Sequence, residues 1–463
     1  MLAAVLAAPF ARAATSAPAL DGAKLAIAWA IPFGGLLLSI ALLPLIAPRF
    51  WHRRYGWIAA GWAAALLVPV AAVFGPAVAL HEVLHALLLD YVPFVALIGG
   101  LFVISGGIRL TGDFRGTPFG NTLLLAFGTA MASVVGTTGA AMLLIRPLIR
   151  ANAERGRKTH VFVFFVLLVA NIGGALSPLG DPPLFLGFIK GVEFFWPTRH
   201  LLAPTLILAG ALLGAFYALD RIMIARETMR PSDHGPSSGF GFDGGRNLFY
   251  LAGAIGAVLL SGVWRPGPAF EVAGVAVEIQ NLVRDGLLVT LAWASLRTTP
   301  PAIRAANGFS WEPLREVALL FVGIFLTIVP VIDILNAGED GELARLIGWL
   351  EDENGRPSPN RYFWTTGLLS AVLDNAPTYL VFFNVAGGDP ATLQGEGAAV
   401  LRAISAGAVY FGALSYVGNA PNFMVKAVAE NAGIRMPSFF GYVAWATLLL
   451  LPVLIALDVF GMI

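Results

Sequence analysis

Long apolar stretches alternate with short polar segments along almost the whole chain. A helix needs about 20 apolar residues to cross the hydrocarbon core of a bilayer. The first half of the sequence contains five such stretches, at Leu25–Ala47, Trp57–Val78, Val92–Leu110, Val161–Ile189 and Leu201–Ile224. The pattern therefore predicts a bundle of membrane-spanning helices rather than a water-soluble fold.

A sixth apolar stretch lies between the third and the fourth span and has a different character. It covers Phe119–Ile149 and is interrupted by Gly128 and by the run Gly136-Thr137-Thr138-Gly139. Glycines inside an apolar segment weaken a continuous helix and favour a turn. We therefore predict a re-entrant helical hairpin with its tip near Gly136.

The second half of the chain repeats the same order of elements. Its stretches are Leu248–Val263, Leu287–Leu296, Val317–Ile334, a second hairpin at Phe363–Phe383, Ile404–Ala427 and Phe439–Leu457. A segment rich in Gly, Pro and Ser separates the halves, as expected of a linker. The predicted organisation is a tail at 1–24, a first repeat at 25–230, a linker at 231–246 and a second repeat at 247–463.

One motif occurs in both halves and identifies where a site would lie. Gly174–Phe185 reads GALSPLGDPPLF, and 238 residues later Gly412–Phe423 reads GALSYVGNAPNF. The same offset places Gly136–Gly139 on Asp374–Pro377, so hairpin and motif are duplicated together. Broken helices are tolerated in lipid only where the freed backbone groups are buried or face a cavity. Two breaks at equivalent positions therefore point to the binding site of a transporter.

The third spans of the two halves match at a smaller offset. Gly100 corresponds to Gly323, an offset of 223 residues, and the difference fits an insertion in the acidic loop Asn336–Arg361. Each half has five true spans, an odd number, so the second half must enter the membrane upside down. The predicted fold class is thus an all-α polytopic membrane protein of two inverted-topology repeats, each with about five spans, one of them broken, and one hairpin.

The distribution of charge gives the predicted orientation. Basic residues concentrate in the loops at 49–54, 109–115, 146–158, 221–230, 297–315 and 426–435, whereas the loop at 339–353 is acidic. Basic loops remain in the cytoplasm. We therefore expect a multi-pass protein of the cell inner (plasma) membrane with both termini outside and the loop Ala151–His160 in the cytoplasm. The two hairpin tips would then meet near the middle of the bilayer.

The composition agrees with a polytopic membrane protein and excludes nucleic-acid binding and cysteine chemistry. Hydrophobic residues make up 57% of the 463 residues and charged residues 12%, with a net charge of +1. A chain of this kind has no basic arm for nucleic acid. With no cysteine, disulfides, thiolate catalysis and cysteine-ligated metals are excluded. The apolar start, MLAAVLAAPFARAATSA, fits either a cleaved signal peptide or an external tail.

Two carboxylates fall inside the interrupted helices and are candidate ion or proton sites, because ionisable groups at this depth are costly and are usually functional. They are Asp181 in the first break and Asp374 at the second hairpin tip. An alternative is that either aspartate caps a half-helix. Hard cations such as sodium prefer oxygen ligands. Neutral oxygen ligands are available nearby from Thr137, Thr138, Asn171, Ser177, Ser370, Asn375, Ser415 and Asn419.

These residues carry a family resemblance over most of the chain from Val92 onward. The two GALS motifs and the run Ser370–Thr378 (SAVLDNAPT) resemble the ion-transporter superfamily, especially NhaD-type sodium/proton antiporters and citrate or arsenite permeases. The resemblance implies inverted repeats with re-entrant hairpins, a homodimer and alternating access. It places six residues on the ion path: Asp181, Ser370, Asp374, Asn375, Ser415 and Asn419. Such antiporters tend to carry an acid at the first hairpin tip, where this chain has Gly136-Thr137-Thr138.

The function predicted from the sequence is secondary active transport without enzymatic activity. Exchange of sodium or another small cation for protons is favoured by the two carboxylates. The alternative is a sodium- or proton-coupled carrier of citrate or a dicarboxylate. In either case the partners are a small ion or carboxylate substrate and the lipid bilayer, and no cofactor is expected beyond the transported ions.

A competing motif is His81-Glu82-Val83-Leu84-His85, which fits the H-E-x-x-H pattern of zinc proteases. An intramembrane zinc protease also needs a third ligand, for which Asp90 and Asp220 are the available acids. The interpretation we favour is an amphipathic interfacial helix on the outer side, with His and Glu facing water, that leads into Tyr91 and the third span.

Overall fold

The computed structural model describes residues 20–112, 115–227 and 241–463. Most of the predicted tail and of the predicted linker lies outside these residues. The described part is almost entirely helical and confirms an all-α polytopic membrane protein. Nine of its helices are long and apolar enough to cross a membrane: Ile27–Ile46, Pro48–Val73, Pro76–Ser105, Pro118–Val135, Thr159–Leu176, Trp196–Ala225, Arg246–Val263, Glu312–Asn336 and Phe439–Val459.

The described part of the first half folds into nine α-helices. They are α1 (Ile31–Ile46), α2 (Pro48–Val73), α3 (Pro76–His85), α4 (Val92–Ser105), α5 (Pro118–Val135), α6 (Thr137–Ala151), α7 (Thr159–Leu168), α8 (Pro182–Ile189) and α9 (Trp196–Ala225). Proline stands in the first turn of many of them, where its missing N–H costs no helical hydrogen bond. A π-helix at Ala86–Tyr91 joins α3 to α4, so that the third span is longer than predicted.

The second half contains twelve helices. They are α10 (Arg246–Val263), α11 (Ile279–Thr298), α12 (Pro301–Ala306), α13 (Glu312–Thr327), α14 (Val329–Asn336), α15 (Ala344–Leu350), α16 (Pro359–Val372), α17 (Asn375–Val385), α18 (Pro390–Gln394), α19 (Ala398–Phe411), α20 (Ala420–Asn431) and α21 (Phe439–Val459). The second span of this half is longer than Leu287–Leu296, and the loop with the predicted insertion contains the short helix α15.

Two small antiparallel β-pairs were not predicted. Strand β1 (Arg109–Thr111) pairs with β2 (Gly241–Asp243) and so connects the end of the third span to the end of the linker. Strands β3 (Pro268–Val272) and β4 (Val275–Glu278) form a hairpin between α10 and α11. Its turn residues Ala273 and Gly274 both have positive φ, at 50° and 82°, as a two-residue hairpin turn of matching twist requires.

The internal repeat is visible in hydrogen bonds as well as in helix order. The N–H of Thr137 donates to the carbonyl of Gly180 at 2.8 Å, and the N–H of Asn375 donates to that of Gly418 at 3.2 Å. A shift of 238 residues converts one bond into the other. Each hairpin tip is therefore fastened to the broken helix of its own repeat in the same way.

The two repeats also pack across each other. Helix α6 of the first hairpin contacts α20, and α17 of the second hairpin contacts α8, so each hairpin supports the broken helix of the other repeat. In the same manner α4 packs on α11, and α13 packs on α2. The broken helices and the hairpins are central: every residue from Val161 to Ala170 is at most 1% exposed. Many large apolar side chains are exposed on the peripheral helices, as expected of a surface in lipid.

A buried ionic cluster holds one end of the first repeat together. Asp220 of α9 lies 2.6 Å from Arg155 Nη1 and 2.8 Å from His160 Nε2, and it accepts a hydrogen bond from Asn121 of α5. Removing one partner from a buried ion pair leaves an uncompensated charge and costs about 3–5 kcal/mol.

We therefore expect Asp220→Ala to lower the thermal unfolding midpoint of the detergent-purified protein strongly. Glu193→Ala serves as the control, because the ion pair that Glu193 makes with Arg199 is more than half exposed and contributes little. Equal midpoints for the two variants would show that the buried cluster does not stabilise the fold.

Candidate functional site

Both broken helices are interrupted at their repeated motifs. In the first, α7 ends at Leu168, a 3-10 turn occupies Ile172–Leu176, and the chain is extended at Ser177 before α8 begins. Asp181 is the residue before α8, but its side chain makes no capping hydrogen bond there. Asp374, in contrast, accepts a hydrogen bond from the N–H of Ala376 at 3.0 Å and caps α17. The capping interpretation is thus wrong for Asp181 and correct for Asp374.

Asp181 lies where the two repeats meet. Its Oδ2 accepts a hydrogen bond from Asn375 Nδ2 at 2.6 Å. Its Oδ1 accepts from Asn419 Nδ2 at 2.8 Å and from Thr137 Oγ1 at 3.2 Å. These donors come from the second hairpin, the second broken helix and the first hairpin, respectively. Asp181 corresponds to Asn419 in the repeat, and Thr137 corresponds to Asn375. The carboxylate is therefore placed near the pseudo-symmetry axis.

The chemistry around Asp181 favours a small positive ion. The carboxylate is 1% exposed, and all three hydrogen-bond donors to it are neutral. Such a burial is costly unless a proton or cation neutralises the charge. Among the described residues, Asn375 Oδ1 has no hydrogen-bond partner although it is buried. A cavity of about 40 Å³ borders Asp181, Thr137 and Thr138, which is enough for one small ion or water.

A chain of amides extends this network toward the second break. Asn419 also donates to Asn171 Oδ1 at 3.2 Å, and Asn171 Nδ2 donates to Asn422 Oδ1 at 2.6 Å. Asn422 in turn donates to the carbonyls of Gly412 and Ser415, both at 2.8 Å. These bonds satisfy carbonyls that the break leaves free and fix the orientation of Asn419. Asn422 was not among the predicted site residues, although it belongs to the repeated motif at the position of Leu184.

Within the described residues, the predicted serines make no hydrogen bond to either carboxylate. Ser177 Oγ donates to the carbonyl of Ser133, and Ser370 Oγ donates to that of Ala408. Ser415 Oγ accepts hydrogen bonds from the backbone of Val417 and Gly418. In this structure the serines supply the backbone partners that irregular segments need in lipid. The remaining predicted ligand, Thr138, lines the cavity of about 40 Å³ beside Asp181 and also a second, larger cavity.

A larger cavity of about 370 Å³ borders the site on one side. Asp374, Asn419 and Thr138 line its inner end, and it extends past Glu316 and Glu312 to His52, in the second turn of α2. The described residues that line it include no lysine or arginine.

Glu312 and Glu316 were not predicted as site residues. The predicted span began at Val317, whereas α13 begins at Glu312 and thus includes both acids. Since they are four residues apart in one helix, they share a face. Trp51 Nε1 donates to Glu316 Oε1 at 3.1 Å and holds that carboxylate in place.

The zinc-protease pattern does not assemble into a metal site. His81 is buried, and its Nδ1 lies 2.8 Å from the carbonyl of Ala273, so the prediction that it faces water is wrong. The β3–β4 hairpin covers this surface. Asp90 pairs with Lys190 and Asp220 pairs with Arg155. Within the described ranges, no group of three His, Cys, Asp or Glu residues could hold a metal ion.

Fold and site together define an integral membrane transporter. A family model described as "Putative citrate transport" matches residues 22–461, and the chain belongs to this family. An uncharacterized transporter of Mycobacterium tuberculosis and another of Mycobacterium bovis are each 25% identical over 407 residues, which is 80% of this chain and 86% of the relative. A 46 kDa membrane protein of Mycobacterium leprae is 23% identical over 364 residues, covering 73% of this chain and 79% of the relative.

Proposed function

We propose that the protein exchanges sodium, or another small cation, for protons by alternating access. One observation carries the proposal: the donors to the buried carboxylate of Asp181 are all neutral in the described part of the chain, and beside it lies the unpartnered oxygen of Asn375. Such a group can be neutralised by a proton or by a cation, but not fully by both at once.

Exchange follows because the proton and the cation compete for Asp181. A cation would be bound by the oxygens of Asp181, Asn375 and Thr137, displacing the donor hydrogens that now occupy the carboxylate. A proton would occupy one Asp181 oxygen and remove the charge that attracts the cation. Since an empty, charged Asp181 is costly in the membrane interior, movement of the site without either ion is disfavoured. This coupling is what an antiporter requires.

The larger cavity favours cations over anions. Its carboxylates at Asp374, Glu312 and Glu316 face one space whose described lining residues include His52 but no lysine or arginine. A cleft of one sign of charge raises the local concentration of the opposite ion. With the orientation proposed from the basic loops, this cavity faces the cytoplasm.

We expect Glu316→Gln to raise the apparent KM for the cation several-fold while changing the maximal rate little, because the residue lies on the approach and not at Asp181. The increase should shrink at high ionic strength, since salt screens the attraction. Glu339→Gln, which changes an exposed acid outside the cavity, is the matched control. If the increase in KM did not shrink at high ionic strength, or if Glu339→Gln raised the KM equally, this role of Glu316 would be contradicted.

The family description supports a second candidate, cotransport of citrate or a dicarboxylate. Thr138 and Ala420, in the first turns of α6 and α20, line the larger cavity. Helix N-termini carry partial positive charge and attract carboxylates. The carboxylates of the same cavity oppose this candidate, because a citrate trianion would meet like charges there.

One experiment separates the two candidates. The purified protein is placed in liposomes that contain a pH-sensitive dye, and sodium, lithium, potassium or citrate is added in turn, with labelled citrate in a parallel assay. A pH change on addition of sodium or lithium alone supports antiport. Citrate uptake without a cation-driven pH change supports the anion carrier, and the absence of both would contradict both candidates.

A further inference from the structure

The two half-helices that follow the breaks occupy equivalent positions in the repeats but different surroundings. Helix α20 lines the larger cavity, and its Phe423 contributes to the cavity wall. The equivalent residue in α8 is Phe185, which is 1% exposed and borders the cavity of about 40 Å³ beside Asp181. The α20 side of the site thus adjoins the larger cavity, whereas the α8 side, called the sealed side below, holds a cavity with room for one small ion or water.

The sealed side is held by contacts between α8 and the helices around it. The guanidinium of Arg284, at the start of α11, lies 5.9 Å from the centre of the Phe185 ring. Phe188 packs closely against Gly262 of α10, where an added Cβ would lie 3.3 Å from the ring. At the end of α8, Lys190 Nζ forms an ion pair with Asp90 Oδ1 at 2.7 Å.

We infer that the Asp90–Lys190 ion pair is a latch that keeps this side of the site closed, and that Phe185 and Phe423 exchange their roles as covered and accessible residues when the transporter reverses. The inference rests on the alternating access of the proposed function, but not on which ion is carried. The inverted repeat supports it directly, since the same side chain at the same motif position is buried beside the smaller cavity in one half and lines the larger cavity in the other.

The location of the pair suits a latch. Asp90 lies in the π-helix between α3 and α4, and such segments occur frequently at functional sites. Lys190 follows the last turn of α8, where a cation also interacts favourably with the helix dipole. The side chain of Asp90 is 12% exposed and that of Lys190 is 27% exposed, so the pair lies at the edge of the buried region. His85 is a further titratable side chain that interacts with both.

The test uses the absence of cysteine in the chain. Phe185→Cys and Phe423→Cys are made separately, and the labelling rate with a water-soluble maleimide is measured in liposomes permeable to the reagent. We expect the Phe423→Cys variant to react at least ten-fold faster. In a background of Asp90→Asn with Lys190→Gln, labelling of Phe185→Cys should accelerate several-fold and labelling of Phe423→Cys should slow.

Reciprocity is the decisive readout, because a general loosening of the fold would accelerate both reactions. Unchanged rates, or two accelerated rates, would overturn the latch. The exchanged pair Asp90→Lys with Lys190→Asp should restore the original rates, and Arg199→Gln, which breaks an exposed pair in the same half, should leave them unchanged. If the double substitution does not fold, Lys190→Gln alone is expected to accelerate labelling of Phe185→Cys and to slow labelling of Phe423→Cys. Because labelling needs no transported ion, failure of the proposed ion exchange would leave this test intact.

Discussion

Asp181→Asn is expected to abolish cation-driven proton movement while the protein still folds. Asparagine has nearly the volume of aspartate, and the amide of Asn375 can rotate so that its free Oδ1 accepts the new N–H, which keeps the packing. The variant can neither ionise nor bind a proton in the transport range, so both competing states of the site are lost. The measurement is the pH change inside dye-loaded liposomes on addition of sodium or lithium, with monodisperse elution as evidence of folding.

Asn375→Ala provides the graded comparison for this result. It removes one donor to Asp181 and one neutral oxygen but leaves the carboxylate. Loss of one such polar contact costs about 1–3 kcal/mol, which is about one to two decades in apparent ion affinity. Exchange should therefore persist at higher cation concentration.

For Asp181→Asn, exchange at the wild-type rate would show that Asp181 is not the group for which proton and cation compete.

Asp374→Asn is the second substitution with a large expected effect. Asparagine caps a helix about as well as aspartate, so α17 should remain intact. What is lost is the carboxylate closest to the site in the larger cavity, and we expect proton movement coupled to cations to disappear. Asp374→Ala should in addition lower the thermal midpoint, because a lost cap costs roughly 0.5–2 kcal/mol.

The comparison of these two variants distinguishes capping from transport. If Asp374→Asn exchanged ions at the wild-type rate and only Asp374→Ala were defective, the role of Asp374 would be structural, and Asp181 would act alone. Citrate uptake that survives in the Asp374→Asn variant would favour the anion carrier, since that process needs no carboxylate at this position.

Much of the helical framework was predictable because the signals are local. The length of an apolar stretch determines whether it can span a bilayer, and the glycine and proline residues of the GALS motifs interrupt a helix wherever it packs. The hairpin turns near Gly136 and Asp374 and both broken helices were located in this way. The β3–β4 hairpin was missed because Ala273 at its turn gives no strong sequence signal.

The candidate site was predictable only in part. Asp181 was identified because an ionisable residue inside a broken helix is unusual, and the repeat indicated its partners as a group. That Asn375 and Asn419 reach its carboxylate, across 194 and 238 residues of sequence, followed only from the packing of one repeat against the other. The same holds for the serines, which were expected near the ion and instead satisfy backbone groups.

The sequence by itself determined that this chain is a helical membrane protein with a duplicated, interrupted core, because hydrophobic length, helix breakers and the repeat offset are properties of the chain alone. The tertiary structure decided which oxygens surround Asp181, that Glu312 and Glu316 share a cavity with Asp374, and that Phe185 is buried beside the smaller cavity while Phe423 lines the larger one. The physical reason is that hydrogen bonds and cavities depend on how distant helices meet, and equivalent residues of two repeats can have different neighbours in one conformation.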